Sequence, residues 1–156
     1  MDGVTQTRRM PPAEVDVSVE LARGLLASQH PDLADRPITV PANGWDNVIC
    51  RLGGDLLIRL PRRAMAADLV LHEQRWLPVL APRLPLAVPV PVRVGRPGQG
   101  YPWAWSVVPF LPGQVAARTP LSRPRTAAVV LGLFLNALHS EVPIDAPATR
   151  SEASPS

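Results

Sequence analysis

Two aliphatic runs, Val48 to Leu52 and Leu56 to Leu60, flank Gly53-Gly54-Asp55. Apolar runs on either side of a glycine-tolerant turn predict an antiparallel hairpin. The alternation of a strand then places Leu56, Ile58 and Leu60 on one face and Leu57 and Arg59 on the other. A charge at the end of such an apolar strand needs a partner or water. Glu73, on the segment that follows, is a candidate partner that would leave Arg59 able to reach an anionic ligand. The alternative is that Arg59 is an exposed strand-end residue and Glu73 a solvated helix residue.

The rest of the chain fits around this hairpin. Its 156 residues, 46% of them hydrophobic, suit one domain or one lobe of a larger one. Residues 1–15 are polar and proline-bearing and are expected to form a flexible arm. From Asp16 or Ser18 the positions Val19, Ala22, Leu25, Leu26 and Gln29 follow helical spacing, with an end near His30-Pro31. Residues 37–40 predict a short strand before the turn signal Pro41-Ala42-Asn43-Gly44. Residues 64–80 carry Met65, Leu69, His72, Trp76 and Leu80 at three- and four-residue spacing, an amphipathic helix with Asp68, Glu73 and Arg75 on its polar face.

Prolines punctuate residues 84–94, so only 90–94 is assigned as strand. A turn over 95–100, a strand over 103–108 and a stiff connector, Pro109-Phe110-Leu111-Pro112-Gly113, follow. A last helix begins near Pro124 and runs through Leu131, Phe134, Leu135 and Leu138, with His139 capping its end. Residues 144–156 are small, polar and patternless, as expected of a disordered tail.

Composition narrows the chemistry. The chain has 16 arginines and no lysine, so any role for a flexible ammonium falls to a guanidinium. A net charge of +3 with scattered arginines argues against nucleic acid as a partner. The single Cys50 rules out an internal disulfide and a cysteine-based metal site, and three dispersed histidines make no zinc site. His72 reads as a packed residue on the apolar stripe. Without an apolar stretch of membrane-spanning length or a signal-like N-terminus, a cytoplasmic location is expected. His30-Pro31-Asp32-Leu33 imitates the start of a kinase catalytic loop but lies before the sheet and has Pro37 where that loop needs asparagine. The tryptophans, with no basic stripe beside them, read as core and cleft walls.

The turn Asn43-Gly44-Trp45-Asp46-Asn47 could curl backbone N–H groups around phosphate, because glycine permits close approach. Equally, it could be a plain turn with Trp45 as an apolar lid.

Laid out in this order, the chain resembles the N-terminal lobe of the aminoglycoside and macrolide phosphotransferase family, which has a protein-kinase-like fold. The matching stretches are Gly-Trp-Asp-Asn at 44–47, Ile-Arg-Leu-Pro-Arg-Arg at 58–63, Glu73 with Arg-Trp-Leu-Pro at 75–78, and Leu-Pro-Leu-Ala-Val-Pro-Val-Pro at 84–91. Tyr-Pro-Trp-Ala-Trp-Ser at 101–106, Phe-Leu-Pro-Gly at 110–113 and Ala-Leu-His at 137–139 extend it. The resemblance implies an α+β lobe with about five antiparallel strands and a packed helix (residues 16–113, hinge included), then the first helix of a truncated helical lobe (114–143).

It also implies roles. Arg59 would touch the α- and β-phosphates of ATP or GTP, with Glu73 orienting it, and Asn43, Gly44, Trp45, Asp46 and Asn47 would cover the phosphates. Pro109, Phe110 and Leu111 would form the adenine hinge, where the Pro109 carbonyl and the Leu111 N–H survive the proline. The family's catalytic aspartate and magnesium ligands have no counterpart after His139, where the only aspartate is Asp145. The resemblance therefore implies phosphorylation of a small-molecule hydroxyl, aminoglycoside- or macrolide-like, by the full-length form. This chain is expected to be truncated and inactive alone, unless another chain supplies the missing lobe. A non-catalytic nucleotide- or partner-binding module is the alternative.

Overall fold

The computed structural model describes residues 12–39, 42–114 and 117–139. Most of the arm (1–11), Val40 and Pro41 before the turn, and everything from residue 140, including Asp145 and the tail over 144–156, lie outside the described residues. The N-terminal helix, α1 (Val19–Gln29), is capped by Ser18, whose hydroxyl accepts from the Leu21 N–H at 3.1 Å, and it buries Ala22, Leu25 and Leu26. Five strands follow: β1 (Ala42–Asn43), β2 (Asn47–Leu52), β3 (Leu56–Pro61) and, after a 17-residue helix α2 (Ala64–Leu80), β4 (Arg93–Gly95) and β5 (Trp105–Pro109). They form one antiparallel sheet in the order β1-β2-β3-β5-β4. A last helix, α3 (Pro124–Leu138), starts on proline and is closed by His139, whose N–H donates to the Leu135 carbonyl at 3.0 Å.

The expected hairpin forms, with Leu52 opposite Leu56 and Cys50 opposite Ile58. Gly53 takes φ +62°, which glycine adopts without penalty, and Arg51 braces the turn by donating to the Gly53 and Gly54 carbonyls. Val48, Cys50, Leu52, Ile58 and Leu60 face α1 and form the core with Tyr101, Trp105 and Val107. Each buried aliphatic side chain there contributes about 1.5–3 kcal/mol. Gly95 is required by packing, because a Cβ there would sit 1.9 Å from the Trp105 ring. α2 covers the opposite face, so β5 is buried on both sides.

Several expectations change. The strand expected over 37–40 reduces to a single bridge between Ile38 and Leu52. The Gly44 N–H donates to the Asn47 carbonyl at 2.8 Å, a turn so tight that Ala42 and Asn43 pair with Ile49 and Val48 as β1. The strand expected over 90–94 begins at Arg93, since Pro89 and Pro91 cannot donate to a ladder, although the Val92 N–H reaches the Val107 carbonyl at 2.8 Å. The next strand starts at Trp105 and not Trp103.

α2 has the expected limits but a different inner face. Ala66 and Val70 are buried, while Met65 and Leu69 are 64% and 53% exposed and His72, expected to be packed, is exposed. Glu73 and Gln74, not the apolar stripe, meet the sheet. The arm is not loose to its end, because the Glu14 and Val15 N–H groups donate to the Arg62 carbonyl at 2.9 and 3.4 Å. No helix among the described residues is long and apolar enough to cross a membrane.

Candidate functional site

β3 carries Arg59 between Ile49 of β2 and Ser106 of β5, and the inward packing of Ile58 and Leu60 toward α1 turns its side chain to the α2 face. There the guanidinium meets Glu73 as a two-pronged fork. Nη1 donates to Oε2 at 2.5 Å and Nη2 to Oε1 at 3.1 Å, with the side chains 21% and 32% exposed. The reading in which both are solvated and apart does not hold. A planar fork fixes the direction of both groups and leaves the guanidinium with further N–H donors.

Gln74 sets the rotation of α2 beside this pair. Its Nε2 donates to the Trp105 carbonyl at 2.9 Å and to the Ser106 hydroxyl at 3.0 Å. Sequence reasoning missed it; the available signal was Ser106, a polar residue within an otherwise apolar strand.

Past the end of β3, the glycine turn is held by the two arginines that follow. The Arg62 N–H donates to the Asp46 carbonyl at 2.9 Å, Arg62 Nη1 to the Gly44 carbonyl at 3.3 Å, and Arg63 pairs with Asp46 at 3.3 Å. A Cβ on Gly44 would sit 3.0 Å from the Asn47 carbonyl oxygen, so a larger residue there would have to push that carbonyl aside by a few tenths of an ångström. The Gly44 N–H is spent inside the turn, whereas the Trp45 and Asp46 N–H groups make no hydrogen bond among the described residues. Trp45 is 48% exposed, and Asn47 Oδ1 is buried without a partner among the described residues.

At the other end of β3 the connector leaves the sheet. The Phe110 N–H donates to the Asp55 carbonyl at 2.7 Å, continuing the β3–β5 register. Pro109 is the last residue of β5, and strand alternation turns its carbonyl to the opposite edge. Phe110 is committed to the hairpin on a second count, because the Arg51 guanidinium lies 3.4 Å from its ring centroid. Connector, cation and turn therefore lie in order along β3. Arg59 sits about 10 Å from Leu56, which pairs with Pro109, and about 7 Å from Pro61 at the strand rise.

Cys50 is no nucleophile, since burial pushes its thiol up to about 11. Among the described residues no three of His, Cys, Asp and Glu gather to hold a metal.

No curated protein matches the chain significantly. Solved structures do. The GDP complex of wild-type aminoglycoside 2'-phosphotransferase-IIIa aligns with a TM-score of 0.71 at 23% identity over 83% of this chain and 46% of its own. The GDP and kanamycin complex of APH(2")-IIia gives 0.68 at 22% over 78% and 42%. The streptomycin-ATP-APH(2")-IIa ternary complex gives 0.50 at 16% over 84% and 42%. This chain spans less than half the length of those structures. At such identities the likeness shows the fold, an α+β lobe matching the kinase-like N-lobe of aminoglycoside phosphotransferases. The family described as "Phosphotransferase enzyme family" matches residues 37–155, most of the sequence. The chain belongs to the phosphotransferase enzyme family.

Proposed function

We propose that this chain is the nucleotide-binding lobe of an ATP- or GTP-dependent phosphotransferase whose full-length form phosphorylates a hydroxyl of a small molecule, aminoglycoside- or macrolide-like. The observation that carries the reading is the Arg59–Glu73 fork on the inner face of α2. Transfer of a phosphoryl group asks the protein mainly for positioning and charge stabilisation. A guanidinium held by a carboxylate offers its remaining donors to the α- and β-phosphate oxygens in a fixed plane. The turn over 43–47 would cover those phosphates, and the Pro109 carbonyl and Leu111 N–H would take the base. The solved relatives hold GDP, GDP with kanamycin, or ATP with streptomycin, which supports a nucleotide here.

In the full-length form magnesium would supply charge neutralisation at the phosphates. None of the steps above runs through it. Residues 16–113 would form the lobe and hinge, and 114–143 the start of a second, helical lobe. Dependence on nucleoside triphosphates fits a cytoplasmic enzyme. Calorimetric titration with ATP and with GTP tests the reading. One of them binds, and Arg59→Ala weakens it at least tenfold; no binding by the unmodified chain, or an unchanged affinity in the variant, refutes it. Incubation of this chain alone with nucleotide, magnesium and a panel of hydroxylated antibiotics is expected to give no phosphorylated product.

A second reading, a nucleotide- or partner-binding module without catalysis, is favoured by α3. It buries no residue and leaves Val129 63% and Leu133 57% exposed. The catalytic reading gives that face to a second lobe, from this or another chain. Product formation on mixing with such a lobe separates the two.

A further inference from the structure

The first described residues do more than lead into α1. The Glu14 N–H donates to the Arg62 carbonyl, and its carboxylate returns to accept the Ala64 N–H at 3.1 Å, on the first residue of α2. α2 has no capping side chain of its own, since the position before it is Arg63, which carries no acceptor. Glu14 therefore caps α2 from 50 residues away in sequence, and its charge lies where a helix N-terminus favours an anion.

The same junction holds the glycine turn. Arg62 binds the Asp46 and Gly44 carbonyls, and Arg63 binds the Asp46 carboxylate. Residues 62–64 thus join three pieces: the N-terminal strap, the turn, and the helix that carries Glu73. α2 fully buries only Ala66 and Val70 and hydrogen-bonds to the sheet through Glu73 and Gln74, a narrow strip. Such a strip provides little apolar burial to fix the helix along its axis. Glu73 lies ~14 Å along the helix from Ala64, so a shift at the start of the helix is carried to the carboxylate.

We infer that Glu14 is a positioning residue for the phosphate half of the nucleotide site. It holds the start of α2, and through it Glu73 and the Arg59 fork, in one arrangement with the glycine turn. The inference rests on the proposed nucleotide-binding function. It assigns the segment before α1 a role in preorganising the site, so whatever moves residues 12–15 changes affinity for phosphates.

The test measures ATP and adenosine affinities for the complete chain, for Glu14→Ala and for Glu14→Gln. Glu14 is exposed, so both variants keep the core, which circular dichroism verifies. Glu14→Ala is expected to weaken ATP about tenfold and adenosine less than twofold, because the base lies at the hinge. Glu14→Gln retains an oxygen acceptor for the Ala64 N–H and is expected to stay within about threefold of the unmodified chain for ATP. Equal weakening of ATP and adenosine would mean general loosening and overturn the inference, as would an unchanged ATP affinity in Glu14→Ala or equal loss in both variants. If the unmodified chain binds neither ligand, the functional proposal itself falls, an outcome distinct from all of these.

Discussion

Arg59 is the only described cation that lies between the connector and the glycine turn along β3, and its partner decides what it can do. Removing the guanidinium would leave Glu73 half-buried without its counter-charge, while replacing it with lysine keeps the charge but loses the second prong. Arg59→Lys is therefore expected to lower stability by about 0.5–1 kcal/mol, the scale of a partly exposed pair. Its ATP affinity should stay closer to that of the unmodified chain than that of Arg59→Ala. Thermal melting and calorimetry on the same samples check both, and equal ATP affinities for the Lys and Ala variants would show that charge at this position does not matter. Strand alternation made legible that Arg59 turns away from Ile58 and Leu60, but on spacing alone its pairing with Glu73 was one of two alternatives. The cap by Glu14 was not legible, because a carboxylate in a proline-bearing arm carries no mark of the helix it will reach, 50 residues later.

The hairpin could be read from sequence because both its strands follow one period and its turn demands glycine, so local and tertiary preferences agree. α2 shows the opposite case. Its length was legible, but its apolar stripe pointed to the wrong face, since the sheet beneath it presents Arg59 and Ser106 and selects Glu73 and Gln74. A helix can turn its smaller and more polar side inward when the floor is polar and satisfied hydrogen bonds replace apolar contact. The consequence is testable at the surface of the element. Met65→Lys and Leu69→Lys should each change stability by no more than about 0.5 kcal/mol, as exposed positions do. Val70→Lys, one residue from Leu69, should cost about 3 kcal/mol or more by burying an unpaired charge. Urea unfolding of the three variants measures this, and a large loss at Leu69 would place the helix in the rotation that its apolar stripe suggests. β1 and β4 were misplaced for a related reason. Their limits follow from a tight turn and from prolines acting on neighbours, not from any periodicity of their own.

The molecule as a whole is a sheet with α1 on one face and α2 on the other, and its core holds two titratable groups that stay neutral. Burial pushes the Cys50 thiol from its ordinary 9.0 up to about 11, and it pushes up the phenol of Tyr101, whose hydroxyl donates to the Pro61 carbonyl at 2.7 Å. The folded chain keeps a thiol proton that the unfolded chain gives up above pH 9. The stability linked to that proton is therefore complete below pH 9 and is lost as pH rises toward 11, at most ~1.4 kcal/mol per pH unit. Tyr101 adds in the same direction at higher pH. The urea midpoint is thus expected to hold steady from pH 7 to 8.5 and to fall between pH 9 and 11. In Cys50→Ala the decline over pH 9–10 should be shallower, because the substituted residue has no proton to hold, even though the variant starts from a lower midpoint through lost packing. A decline of equal slope in both proteins would mean that the thiol is open to water, and the α1 face of the sheet would then not be the sealed core that holds β3, and Arg59 with it, in place.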